Sequence, residues 1–185
     1  PMLKKSIAVV FAIALAMTAT VASAQTCNMA AYGDAAGTVS LIEPLESQVF
    51  SVYVVMFTED TAAAAAYSMT VPTGPTGMFL QARFTGPSGT GLVIDEPTGT
   101  NAALAECVIG FGGLPVLIDE YQYVVFPGFA GGVIDIGPNT SQGPVPVYVT
   151  CNDLTKDCES GASLIVSEVI PTEATSFSSI KSLYN

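Results

Sequence analysis

The chain has 185 residues, with 5 Lys or Arg against 16 Asp or Glu, a formal net charge of −11, four cysteines, and neither His nor Trp. So few basic residues exclude nucleic acid and anionic membrane surfaces as partners, because both demand clustered Lys and Arg. The lack of His excludes Ser-His-Asp and Cys-His nucleophilic sites, which would have no general base, and any mixed Cys/His zinc site.

Lys4 and Lys5 precede an uncharged apolar run from Ile7 to Met17, which gives way to small residues ending Val21-Ala22-Ser23-Ala24. That is the anatomy of a secretory signal peptide over residues 1–24, with Ala22-x-Ala24 as the cleavage box. A permanent membrane helix competes with it, since Ile7 to Ala24 is just long enough to span a bilayer, but Thr18, Thr20 and Ser23 weaken that reading. A lipid anchor on Cys27 is a third reading, opposed by Ala24-Gln25-Thr26, which lacks the small residue expected just before a lipidated cysteine. Cleavage leaves 161 residues (185 − 24) and three basic side chains, Arg83, Lys156 and Lys181, against sixteen carboxylates, a formal charge of −13. One domain is the expectation at that length.

Val49 to Phe57 is the clearest element: Phe50, Val52, Val54 and Met56 form one apolar face, and this period-two alternation predicts a strand. Before the next strands, Ala62 to Ala66 has helix propensity but is too short to stand alone, so it reads as a brief turn or strand start leading into Tyr67 to Val71. Further short runs follow at Gly77 to Phe84, Gly91 to Ile94, Ala105 to Phe111, Val116 to Phe126, Val133 to Ile136, Val145 to Cys151 and Ser163 to Val169. Most are fenced by Gly/Pro turns such as Gly86-Pro87-Ser88-Gly89 and Gly137-Pro138-Asn139. The pattern predicts an all-β, immunoglobulin-like antiparallel β-sandwich of about nine or ten strands over residues 25–170. Beyond it, residues 171–185 form a polar tail in which Phe177, Ile180 and Leu183 have the spacing of a short docking helix.

An even number of cysteines in an exported chain predicts disulfides. Cys151 and Cys158 are close enough in sequence to close a hairpin, which leaves Cys27 to pair with Cys107; the alternative is a Cys107–Cys151 bridge between facing sheets.

Three segments carry a resemblance. They are Tyr32-Gly33-Asp34-Ala35-Ala36-Gly37-Thr38, Cys151-Asn152-Asp153-Leu154-Thr155-Lys156-Asp157-Cys158 with Gly161, and Ser179-Ile180-Lys181-Ser182-Leu183-Tyr184. In these the chain resembles a loose group of uncharacterised secreted bacterial proteins with immunoglobulin-like or cohesin-like sandwiches. It departs from the group at Phe177, where a tryptophan is the group's residue. The resemblance implies the fold and export, and it transfers no activity and no functional residue.

Candidate chemistry is sparse. The loop between the last two cysteines carries Asp153, Asp157 and Glu159, a weak set of calcium ligands against which a solvated acidic loop is the simpler reading; Lys156 within the loop opposes a dication. Asp34 is a second such candidate, better explained as capping its own turn. Tyr121 and Tyr123 share one strand face and would stack on a sugar ring if exposed, or form an aromatic ladder if buried. Asp119-Glu120 and Asp95-Glu96 are paired carboxylates, but neighbours on a strand point to opposite faces and cannot straddle a glycosidic bond. Ser178-x-x-Lys181 matches a catalytic motif only formally, without companion motifs or a helical domain to hold it. Asn139-Thr140-Ser141 is a glycosylation sequon that means little in a bacterial-type chain. The sequence therefore predicts an exported non-catalytic structural or adhesive protein; it does not name the partner, and leaves a glycan or another surface protein open. A carbohydrate- or calcium-binding module is the runner-up, and a small glycoside-acting enzyme a remote third.

Overall fold

In the computed structural model the described residues are 27–73, 77–110 and 114–169, and they contain strands and no helix. In chain order the strands are β1 (Asn28–Tyr32), β2 (Leu41–Ile42), β3 (Val49–Phe57), β4 (Thr61–Thr70), β5 (Met78–Thr85), β6 (Leu92–Glu96) and β7 (Gly99–Ile109). They continue with β8 (Pro115–Val125), β9 (Gly132–Gly137), β10 (Val147–Val149), β11 (Thr155–Asp157), β12 (Glu159–Ser160) and β13 (Leu164–Val166). The expected leader over 1–24 and the expected tail helix over 171–185 lie outside the described residues.

One sheet has the order β12-β1-β3-β8-β5; the other runs β11-β10-β4-β9-β13-β2, with β7 also paired to β4 and β6 to β7. The two sheets face each other as a β-sandwich, and the expected alternation supplies the core. Val52, Val54 and Met56 of β3 are fully buried against Met29 and Ala31 of β1, Val116 and Ile118 of β8, and Tyr67, Ile134 and Leu164 of the second sheet. Residues one apart on the same strand point the other way, so each strand contributes one row to this layer.

Thirteen strands replace the expected nine or ten because β1 is short and alanine-rich and β2, β11 and β12 are only two or three residues long. Such short pieces have no period to read, and their pairing is dictated by their neighbours. The Ala62 to Ala66 segment falls in the first part of a ten-residue strand. It bonds to β10 on one edge and β7 on the other, and two full ladders outweigh alanine's local preference for helix.

An irregularity in β8 decides what lies inside. Val54 pairs with Asp119 and Val55 with Leu117, so Ile118 is the extra residue of a bulge. Val116 and Ile118 face the core on one side of it, and Asp119, Tyr121, Tyr123 and Val125 on the other. The bulge turns Asp119 into the interior.

The disulfides are Cys27–Cys158, with Cα atoms 4.6 Å apart, and Cys107–Cys151, 5.8 Å apart. This corrects the Cys151–Cys158 hairpin closure and the Cys27–Cys107 pairing expected from spacing. Cys158 is the single residue between β11 in one sheet and β12 in the other, where the chain crosses over. At that crossover the Glu159 amide donates to the Cys27 carbonyl, which brings Cys27 to Cys158 and leaves Cys151 behind at the end of β10. The Cys107–Cys151 alternative is realised, but within one sheet rather than between facing sheets: the two strands it joins, β7 and β10, flank β4.

Candidate functional site

The structure brings none of the calcium candidates together. Asp157 lies on β11 opposite Val147, Glu159 on β12 opposite Asn28 in the other sheet, and Asp153 in the turn between β10 and β11. Among the described residues no group of three acidic or cysteine side chains converges as a metal site. Asp34 accepts from Thr38 and Val39 amides and the Thr38 hydroxyl and so ties its own loop. Tyr121 and Tyr123 are only 5% and 4% exposed, stacked on each other with centroids 6.1 Å apart, so they form the aromatic ladder and have no ring free for a sugar. Asn139 is wholly buried and bonds Thr100, Asn101 and Ser141, which closes the sequon to modification of the folded chain.

Asp119 is the centre of a buried polar cluster that the sequence does not announce. Its carboxylate accepts from the Tyr67 and Thr85 hydroxyls and from Arg83 Nε at 3.2 Å and Nη2 at 2.9 Å. Because the Tyr67 proton goes to Asp119, the Tyr121 hydroxyl donates to the Tyr67 oxygen across 2.8 Å. Arg83 lies 4.5 Å above the Tyr121 ring and reaches outward to Asp95 at 2.7 Å, where Thr100 also donates. Tyr67 belongs to the second sheet and Asp119, Arg83 and Tyr121 to the first, so the cluster clamps the sandwich. Burial raises the phenol pKa of Tyr67 well above its ordinary value, raises that of Tyr121, and pushes that of Tyr123 up to about 12. For Asp95, partial burial acts against ionisation, but the bonds from Thr100 and Arg83 outweigh it and hold the carboxyl below its ordinary range.

A polar cleft of about 360 Å³ opens beside Arg83, lined by Leu80, Asp95, Glu96, Thr98 and Thr100 among others. Its charged groups already have partners: Arg83 pairs with Asp95, and Glu96 accepts from the Ser141 hydroxyl. Such a cleft is a satisfied structural edge rather than a place where a substrate would find free groups.

The outer face of the second sheet differs. Cross-strand register aligns Leu92, Ala103, Ala64, Val149 and Thr155 in one row, and Ile94, Asn101, Ala66, Val147 and Asp157 in the next. Ala65, Tyr67, Ala102 and Tyr148, one residue along, point into the core, so these rows point outward. Alanines on β4 form a low floor; Leu92 and Ile94 on one side and Val147 and Val149 on the other form the walls of an apolar trough of about 170 Å³. Leu92 is 65% exposed and Ile94 55%, and both stand on the edge strand β6, which among the described residues pairs only with β7. Covering either side chain completely contributes about 1.5–3 kcal/mol, so a partner seated on this face gains from both. Alternation made Leu92-Val93-Ile94 legible as a strand; that its larger side chains look away from the core was not legible, because period two does not say which face is buried.

No protein-family model matches the sequence, and no curated protein matches it. Among solved structures the chain is similar to the OlpC cohesin in a type I cohesin–dockerin complex from Clostridium thermocellum, with a TM-score of 0.52 and 8% identity over 78% of this chain and 95% of that one. It has the fold of a cohesin. CaCohA2 of Clostridium acetobutylicum, solved in complex with CaDoc0917, gives a TM-score of 0.52 at 8% identity over 78% of this chain and all of that cohesin-like chain. The third ScaC cohesin of Acetivibrio cellulolyticus, in complex with the ScaB dockerin, gives 0.50 at 8% identity over 78% and 99%. At this identity the cohesin likeness concerns the path of the chain and carries over no side chain of the trough.

Proposed function

We propose that this chain is an exported, non-catalytic cohesin-like module that holds a second protein against the trough on the outer face of the sheet formed by β6, β7, β4, β10 and β11. The observation that carries the reading is the registered pair of rows with a floor of alanine and walls of Leu, Ile and Val, in which Leu92 and Ile94 stand exposed above the floor. An apolar depression with an aliphatic rim suits the projecting side chains of a protein partner. Dockerins are the partner class to try first, since the similar cohesins were solved with dockerins. Two disulfides favour an oxidising compartment outside the cytosol, in keeping with export.

The test is titration calorimetry of the mature protein against a panel of dockerins, repeated with Ala64→Glu and Ala66→Glu. A carboxylate on the floor fills the trough and has to be desolvated by any occupant, so the expected result is at least about a hundredfold loss of affinity, with the melting temperature nearly unchanged for Ala64→Glu, whose site is partly open, and lowered for Ala66→Glu, whose site is only 7% exposed. Undiminished binding by both variants, or a panel in which no dockerin binds, sinks the proposal.

A further inference from the structure

We propose that the Cys107–Cys151 disulfide is a thiol-addressable latch on one end of the trough, separate in duty from the Cys27–Cys158 bridge that fastens the sandwich. Its importance for function rests on the docking role of that face; its chemistry does not. Between β4 and β7 the register jumps: Ala62 pairs with Val108 and Ala64 with Ala103, so residues 104–107 are looped out opposite the single residue Ala63. Cys107 closes that loop and is exposed, whereas Cys151 is half-buried in the turn that ends β10. β7 and β10 pair with opposite edges of β4, at the same residues Ala64 to Ala66, so the bridge passes over β4 just beyond the row of Leu92, Ala103, Ala64 and Val149. It therefore ties β7, the strand to which the β6 wall is bonded, to the β10 wall at that end, where the β4–β7 ladder is interrupted.

The other ties near the latch are independent of it. The Cys151 amide donates to Thr61 Oγ1 at 3.1 Å, Gly110 donates to Asp60 at 2.9 Å, and Leu104 remains in the core. Opening the bridge thus frees residues 105–107 and slackens the trough at Ala103 and Val149 without dismantling the sheet. By contrast Cys27 and Cys158 are both buried, beyond direct reach of a solvent thiolate. Exchange proceeds by attack of a thiolate on an accessible sulfur, so an exposed bridge opens before a buried one. A dithiol from the extracytoplasmic space attacks Cys107 or Cys151 and breaks the S–S bond to give a mixed disulfide. Its second thiol then closes on the first, releasing two protein thiols and a cyclic disulfide; two electrons pass from the dithiol to the protein bridge, and its two protons end on the two cysteines.

The experiment is native-state reduction of the oxidised mature protein with dithiothreitol, quenched by alkylation, with sites mapped by mass spectrometry and amide exchange followed in parallel. Alkylation at Cys107 and Cys151 is expected at least about tenfold faster than at Cys27 and Cys158. Amide exchange is expected to rise over 103–109 and 147–151 while β1 and β3 stay protected. Simultaneous opening of both bridges, or selective opening that leaves exchange along the trough unchanged, overturns the proposal. Neither readout requires a partner, so failure of the docking reading at Ala64→Glu is recognised separately.

Discussion

Asp119 is a carboxylate with no exposed surface, and its stability depends on every bond around it being made. Removing the charge in Asp119→Asn leaves Arg83 without its inner counter-ion. Breaking one partner of a buried pair costs about 3–5 kcal/mol, and the remaining Asp95 contact places the expected loss near the lower figure, about 3 kcal/mol, read from chemical denaturation. Tyr67, Tyr121 and Tyr123 make an alkaline prediction. Their folded-state pKa values are raised by burial, so the neutral phenol is favoured in the native state. The stabilisation is complete below the ordinary value of about 10 and is lost as pH rises through the folded values, Tyr123 at about 12 and Tyr67 and Tyr121 raised alongside it. Phenolate absorbance of these three residues should therefore appear together with loss of β circular dichroism, above about pH 10; their titration within an intact fold contradicts the burial.

Among the elements, the start of β7 carries a strict backbone demand. Gly99 has φ +148°, and a Cβ there would lie 2.6 Å from the Tyr67 carbonyl oxygen and 3.0 Å from Asn139 Cα. Both neighbours are backbone and neither can swing aside, so Gly99→Ala should cost about 2–3 kcal/mol, lowering the denaturation midpoint with the slope unchanged. The strands themselves were legible to different degrees. Val49 to Phe57 is β3 residue for residue, because it is long, strictly alternating and buried on one face. Ala105 to Phe111 found only the second half of β7, since Gly99, Thr100 and Asn101 resemble turn residues and enter the sheet only because β4 and β6 pair with them on both sides. β1 was missed: Asn28 to Tyr32 is short and rich in alanine, and it becomes a strand between β3 and β12.

At the scale of the whole molecule the Cys27–Cys158 bridge spans 131 residues and encloses nearly all of the described fold. In the chain-entropy model such a loop contributes about 5 kcal/mol, against about 4 for the 44-residue span of Cys107–Cys151. Replacing Cys27 and Cys158 by Ser should therefore lower the melting temperature at least as far as replacing Cys107 and Cys151 by Ser, as calorimetry would measure; the reverse order contradicts the model. The order of residues along the chain determined the all-β class, the lack of histidine chemistry, and the presence of cysteines to oxidise. These are properties of composition and of period two, which act between near neighbours. Tertiary structure alone decided which cysteines meet, that Asp119 lies inside beside Arg83, and that Ala64 and Ala66 face outward as the floor of a trough. Each of those depends on a crossover, a bulge or a register between strands far apart in sequence, and the energies that select them exist only once both sheets are in place.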